Sequence, residues 1–202
     1  MRTSHRRRGL GAGLLIAAIA GAISTATPSA GAVSTIMRAT LHDATGVEVG
    51  TVSFIGRGSQ VSRVEVVVDA ASVPNLGDFH GTHIHTVGVC DPNPSGTSNV
   101  PFGSAEGHWN PTAATHGSHS GDLPSVLIQA DGRARARFET DRFDVSALLD
   151  GDGSAVILHA GRDNFANIPT VYSSDGVPGP NAATLATGDS STRYACGVVT
   201  GV

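Results

Sequence analysis

Six of the chain's nine histidines and one aspartate fall in four short clusters that could bind metal ions. Imidazole nitrogen is the commonest protein ligand for copper and zinc, and carboxylate oxygen is an accepted zinc donor. The clustered residues are His83, His85, His108, His116, His119, Asp122 and His159. A single His-x-His pair would be weak support, because alternate residues of a strand share a face for many reasons. Four clusters separated by strand-like sequence predict a metal site, and their number predicts two metals.

The first group of candidate ligands lies on predicted strands. His83 and His85 are two residues apart, so both imidazoles point to the same face of a strand. His159 follows the apolar residues 155–158, which have the pattern of another strand. A barrel wall could therefore present three imidazoles to one ion, and purely structural histidines are the alternative.

The second group lies in loop-like sequence. His108, His116, His119 and Asp122 supply three nitrogens and one oxygen, which is a tetrahedral zinc set without an open position. A metal would organise this loop rather than the reverse, and a solvated histidine-rich loop is the alternative. His108 has two ring nitrogens, and a deprotonated imidazolate could bind one metal through each.

Short β-rich stretches position these clusters. They cover residues 35–41, 48–55, 61–68, 82–87, 125–128, 133–139, 155–159 and 194–200. Several alternate apolar and polar residues, and turn sequences separate them, so the pattern predicts an antiparallel sandwich or barrel. Residues 145–149 are expected to form one helical turn. Two long loops, 91–123 and 161–193, are expected to pack over the metal site.

Residues 1–32 have the features of a cleaved signal peptide. Four arginines precede an apolar run over residues 10–23, and Ala30-Gly31-Ala32 is an A-x-A cleavage site. An uncleaved membrane anchor is the alternative, and the consecutive arginines leave a twin-arginine route open. We therefore expect export, to the cell envelope or the medium, with cleavage near Ala32 and one domain over residues 33–202.

The charge of the mature chain limits its partners. The sequence has no lysine, and loss of the four leader arginines leaves nine arginines against 17 carboxylates, a net charge of −8. Nucleic acid and anionic membranes are therefore not expected as partners. An anionic substrate would need a local positive patch. Composition leaves monomer and homodimer open.

The sequence has two cysteines, Cys90 and Cys196. An even pair in an exported protein predicts a disulfide, with free thiols as the alternative.

Taken together, these motifs resemble the copper/zinc superoxide dismutase family, in its bacterial exported type. The resemblance is carried by residues 79–85, 107–111, 120–123, 158–164, 187–189 and 193–198. It implies an all-β, eight-stranded antiparallel Greek-key barrel or sandwich with two long functional loops. It also implies copper and zinc as cofactors and superoxide as the small-molecule substrate.

The same resemblance implies a role for each site residue. The copper ligands would be His83, His85, His108 and His159; the zinc ligands would be His108, His116, His119 and Asp122. His108 would bridge the two metals and serve with Arg193 in catalysis, Arg193 guiding the anion to copper. Asp163 would hydrogen-bond ligands of both metals, Cys90 and Cys196 would form the family's disulfide, and His80 would bond backbone.

Two features depart from the family's pattern. Thr82 stands where an aromatic residue usually precedes the His-x-His pair, and the His116–His119 interval is only three residues. With these departures, the resemblance still implies superoxide dismutation at a copper centre bridged by His108 to a structural zinc. A copper-only dismutase with a degenerate zinc loop and a non-catalytic extracellular copper-binding protein are the alternatives.

Overall fold

The computed structural model describes residues 36–56, 62–93, 100–174 and 176–202, and strands dominate them. The predicted signal peptide and its cleavage site lie outside the described residues. Every described residue belongs to one compact unit, Ala32–Val202. Within the described part of the chain, no helix has the length and apolar character needed to cross a membrane.

Eleven strands run through the described residues. They are β1 Ile36–Asp43, β2 Glu48–Gly56, β3 Ser62–Asp69, β4 Phe79–His85, β5 Asp122–Leu127, β6 Arg133–Thr140, β7 Ala155–His159, β8 Ser173–Ser174, β9 Val177–Pro178, β10 Arg193–Val198 and β11 Thr200–Gly201. Helical structure is limited to 3-10 turns at Gly103–Ala105 and Val145–Leu149 and to one short α-helix, α1, at Thr184–Thr187.

Eight of these strands form an antiparallel barrel that is nearly closed. Their order is β5-β4-β7-β10-β1-β2-β3-β6, with β11 paired to β1. The end strands β5 and β6 lie against each other and nearly close the barrel. The neighbours β3 and β6, and β4 and β7, are not consecutive in the chain, which is the crossing typical of a Greek key. The predicted fold class is confirmed.

Alternating side chains explain the barrel core. In β3, Val64, Val66 and Val68 are buried, while the residues between them face outward. In β6, Ala134 faces inward while Arg133 and Arg135 are exposed. Each strand therefore presents one apolar face to a single continuous core.

Strand β7 differs, because all five of its residues are buried. Val156 and Leu158 belong to the barrel core, whereas Ala155 and Ile157 pack in a second cluster with Phe102 of the β4–β5 loop. The loop therefore covers the outer face of β7. His159 has the same parity as Ala155 and Ile157, so it lies on this covered outer face.

Two strands begin three residues earlier than the sequence prediction. Strand β4 covers 79–85 rather than 82–87, and β5 covers 122–127 rather than 125–128. Gly81 and Pro124 obscured both starts, but an edge strand such as β5 tolerates proline. The predicted helical turn at 145–149 is confirmed as a 3-10 turn. The β8–β9 hairpin and α1, both inside the predicted loop 161–193, were not anticipated.

Candidate metal centre

Strand register brings three predicted copper ligands together on the outer face of β4 and β7. His83 lies opposite Ile157 and His85 lies opposite Ala155, so both imidazoles share the face that carries His159. His108 joins them through a single β-bridge to His85. The main chain around it is tied to β4, because the Trp109 N–H donates to the Ile84 carbonyl at 2.8 Å. Ligand atoms of His83, His85, His108 and His159 all lie within 4.8 Å of one another.

Three of these imidazoles have one ring nitrogen bonded and the other left without a partner. His85 Nδ1 donates to the Glu106 carbonyl at 2.7 Å, and His159 Nδ1 to the Ser191 carbonyl at 3.3 Å. His83 Nε2 is bonded to Asp163 Oδ2 at 2.8 Å. The opposite nitrogens, His83 Nδ1, His85 Nε2 and His159 Nε2, are buried and find no hydrogen-bond partner among the described residues.

These partnerless nitrogens fit a metal ion. A carbonyl only accepts, so the bonded nitrogen of His85 and of His159 must carry the proton, and the other nitrogen keeps a lone pair. A buried acceptor without a donor is costly. A metal-ligating histidine usually donates its N–H to a carbonyl or carboxylate and turns the lone pair of its other nitrogen to the metal.

The second group fits zinc by its dimensions. The Nδ1 atoms of His108, His116 and His119 surround Asp122 Oδ1 in a buried cluster. Five separations among these four atoms run from 2.9 to 3.4 Å. Zinc–nitrogen bonds of about 2.0 Å give a tetrahedron with edges of about 3.3 Å, which matches this spacing. The short interval therefore does not keep His116 and His119 apart.

Asp163 connects the two groups. Its Oδ1 is bonded to His116 Nε2 and its Oδ2 to His83 Nε2, both at 2.8 Å, and its side chain has no exposed surface. The Phe165 N–H also donates to Oδ1, at 2.7 Å. One carboxylate thus fixes the ring orientation of a residue in each group, on the side away from the convergent nitrogens.

Electrostatics differ between the two groups. Burial, with the neighbouring His108 and Arg193 charges, lowers the pKa of His85 well below its usual range, and burial does the same to the pKa of His159. Burial lowers the pKa of His108 to about 4, although Asp122 opposes it.

Burial also lowers the pKa of His116, but the bonds to Asp122 and Asp163 outweigh it and raise that pKa to about 9. Burial raises the pKa values of Asp122 and Asp163, and their histidine partners pull both well below the usual range.

Arg193 lies beside the first group. On β10 it is paired with His159 of β7, and its guanidinium donates to the carbonyls of Phe102 and Glu106. The Glu106 carbonyl also accepts from His85, so one main-chain oxygen positions the arginine and a candidate ligand together. Burial lowers the Arg193 pKa, but a guanidinium stays charged in proteins.

Other predicted residues are also found in their expected surroundings. Cys90 and Cys196 are bonded, with Cα atoms 5.6 Å apart, which ties the β4–β5 loop to β10. His80 bonds backbone, the carbonyl of His159 at 2.8 Å and that of Asn75 at 3.4 Å, as expected of a structural histidine. The main-chain carbonyls of Glu106 and Ser191 were not anticipated, because a backbone oxygen leaves no trace in residue type.

Comparisons with known proteins agree with this fold and site. The family described as copper/zinc superoxide dismutase matches residues 48–199. A copper–zinc superoxide dismutase of Mycolicibacterium paratuberculosis is 38% identical over 186 residues, which cover 89% of this chain and 79% of that protein. One of Mycobacterium bovis is 47% identical over 126 residues, which cover 60% of this chain and 52% of that protein. The Cu/Zn superoxide dismutase structure from Brucella abortus superposes with a TM-score of 0.58 at 26% identity, covering 81% of this chain and 98% of that one.

A Greek-key barrel with two linked clusters of candidate metal ligands, one on its outer face and one mainly in the adjacent turn, is the arrangement expected of a metalloprotein. The chain belongs to the copper/zinc superoxide dismutase family. Membership makes it a superoxide dismutase, with copper and zinc as its cofactors and superoxide as its substrate.

Proposed function

We propose that the two groups are the two halves of one binuclear centre. His83, His85, His108 and His159 form the copper half, and His108, His116, His119 and Asp122 form the zinc half. His108 Nδ1 lies among the zinc-half atoms, which leaves Nε2 on the opposite side of the ring for the copper half. The observation that carries this assignment is the set of three buried, partnerless nitrogens of His83, His85 and His159.

When bound, copper supplies the one-electron exchange with superoxide, and zinc supplies a fixed positive charge without redox chemistry. Two superoxide anions and two protons give one dioxygen and one hydrogen peroxide. His108 holds and returns a proton at Nε2, and in the metal-free protein burial lowers the pKa of the ring to about 4, so the ring is uncharged at neutral pH. Asp122 holds the opposite nitrogen of the same ring at 2.9 Å and so fixes the ring's direction.

Arg193 acts on the substrate by charge. Its guanidinium has five N–H groups, of which the Phe102 and Glu106 carbonyls engage one on each terminal nitrogen. The remaining N–H groups and the positive charge stand beside His159 at the copper half. In an otherwise acidic protein this arginine provides a local attraction for a small anion.

Metal content measured together with turnover tests the assignment. Full-chain protein loaded with both metals is expected to hold one copper and one zinc and to dismutate superoxide. Copper with turnover but without zinc would instead identify a copper-only dismutase. Copper without turnover would identify a metal-binding protein on the same scaffold.

Export is the second part of the proposal, and it rests on the sequence of residues 1–32. We propose that these residues direct the chain out of the cytoplasm and into an oxidising compartment. The Cys90–Cys196 disulfide is stable in such a compartment. N-terminal sequencing of protein recovered from the cell envelope and the medium is expected to begin near Val33. A chain that keeps its first 32 residues would overturn the cleavage.

A further inference from the structure

The zinc half lacks the strand support of the copper half. His116 and His119 both lie in the turn 116–121, and only Asp122 begins a strand. The turn is held from inside by the same aspartate: the N–H groups of Gly117 and His119 donate to Asp122 Oδ2 at 2.7 and 3.0 Å. Asp122 Oδ1 is thereby left facing the ring nitrogens.

Arg142 holds the same turn from outside. Its Nη2 donates to the Gly117 carbonyl at 3.1 Å, and its Nη1 donates to the His119 and Asp122 carbonyls at 3.1 and 3.3 Å. The arginine follows β6, so it reaches across the seam where β6 meets β5. Its three contacts span the turn and the first residue of β5, a segment that contributes three of the four zinc-half ligands.

We propose that Arg142 is a positioning residue for zinc. Its hydrogen bonds go to main-chain oxygens and not to ligand side chains, so it acts by fixing the carbonyls of Gly117, His119 and Asp122 in the segment that carries the ligands. The inference rests on the proposed zinc half. No sequence motif marked Arg142, because it lies 20 residues beyond Asp122, the nearest candidate ligand of the zinc half.

The shape of the guanidinium matters as much as its charge. Its nitrogens lie in one rigid plane and can donate to separate carbonyls at fixed angles, whereas a lysine ammonium is a single point at the end of a flexible stem. Hydrogen bonds from charged donors are also stronger than neutral ones. Arg142→Lys is therefore expected to restore only part of what Arg142→Ala removes.

Zinc retention in the copper-loaded full-chain protein tests the proposal. The parent, Arg142→Ala, Arg142→Lys and Arg135→Ala are loaded with both metals and challenged with a graded zinc chelator, and both metals are then measured per chain. Arg135→Ala is the matched control. It removes the same charge from β6, the strand that precedes Arg142, and Arg135 bonds Glu65 at 3.0 Å rather than the turn. Parallel samples carry Co²⁺ in place of zinc, because its visible spectrum reports whether the four ligands remain tetrahedral.

We expect Arg142→Ala to lose zinc at a chelator concentration roughly 10- to 100-fold below that of the parent. This is the range typical when hydrogen bonds that orient metal ligands are removed. Copper content should stay at the parent level, Arg142→Lys should fall between, and Arg135→Ala should match the parent. The Co²⁺ spectrum of Arg142→Ala should lose its tetrahedral bands first.

Equal zinc retention in Arg142→Ala and the parent would overturn the proposal, as would equal loss of copper and zinc, which indicates general destabilisation. If the alanine variant does not fold, Arg142→Lys decides alone, and parent-like retention in it overturns the positioning role. A parent that binds no zinc at all would refute the zinc half itself, a result visible before any variant is compared.

Discussion

The proposed copper half and the proposed zinc half of the centre are built in different ways. His83, His85 and His159 stand on paired strands, so the main-chain ladder of β4 and β7 sets their separation. His116 and His119 stand in a turn whose shape depends on side chains, with Asp122 inside and Arg142 outside. The copper half is therefore positioned by paired strands, and the zinc half by a turn whose main-chain bonds are supplemented by the side chains of Asp122 and Arg142.

Asp163 is the element that joins these two constructions. It orients His83 on the strand side and His116 on the turn side with its two oxygens. Disturbance of the turn can therefore reach the copper half through this carboxylate and through His108, as well as through the pairing of β5 with β4. The difference teaches that two adjacent metal sites can be positioned by different contacts, one by strand pairing and the other by side chains around a turn. Mutations should therefore be able to weaken one site more than the other.

The largest expected effect breaks the copper half alone. Replacing His159 with alanine removes a ligand, while the main-chain ladder of β7 and the bond from His80 to the residue-159 carbonyl remain. Dismutation should fall to the level of metal-free protein, while zinc content and far-UV circular dichroism stay near the parent's. Parent-like activity in fully metal-loaded His159→Ala would remove this residue from the copper site.

A smaller loss is expected when the positive charge beside the copper half is removed. Arg193→Ile should lower the dismutation rate by at least about tenfold without changing metal content, because attraction of the anion is lost. Arg193→Lys keeps the charge and should lose less. The dependence of rate on salt should also weaken in the isoleucine variant, since screening acts on the interaction removed. An unchanged rate and salt slope would contradict the guiding role.

An intermediate effect is expected when the carboxylate of Asp163, which joins the two halves, is displaced by a nearby methyl group. A Cβ at Gly188, where φ is +61°, would overlap Asp163 Oδ1 and His116 Nε2. Gly188→Ala should lower zinc retention about tenfold or more, and copper retention less, because strands still hold His83. Gly46→Ala is the control: its φ is +87° but a Cβ there meets nothing within 4 Å. Equal zinc retention in both variants would show that Asp163 does not transmit the change.

The smallest expected effect is a difference in pH dependence. A histidine must lose its second proton to bind a metal, so protons compete wherever the pH lies below the ligand's pKa. In metal-free protein the His116 pKa is raised to about 9, whereas the pKa values of His85 and His159 are lowered well below their usual range. Zinc affinity should therefore rise by at most about tenfold between pH 7 and pH 8, for one proton released.

Copper affinity should change less over the same interval. Competition titrations of each metal into metal-free protein would measure both slopes. Equal slopes for the two metals would mean that the ligands of the two halves have similar proton affinities, against the contrast drawn above.

The sequence by itself determined the chemistry and most of the strands. Ligand type is a property of side chains, so the seven candidate ligands, Asp163, Arg193 and the cysteine pair could be read from residue identity, spacing and family resemblance. Alternation such as Arg133-Ala134-Arg135 determined β6, because period-two burial is a local property of a strand. The apolar run of β7 was equally clear.

The tertiary structure alone decided how the ligands are held. The ring nitrogen that each histidine leaves free depends on distant partners such as the Glu106 and Ser191 carbonyls, which no residue pattern records. Pairing in the ladder placed the start of β4 at Phe79, before a glycine that locally disfavours a strand. Arg142 reached the zinc turn only because barrel closure brings β6 beside β5. Contacts between residues far apart in the chain depend on register and closure, and these are set by the packing of the whole core.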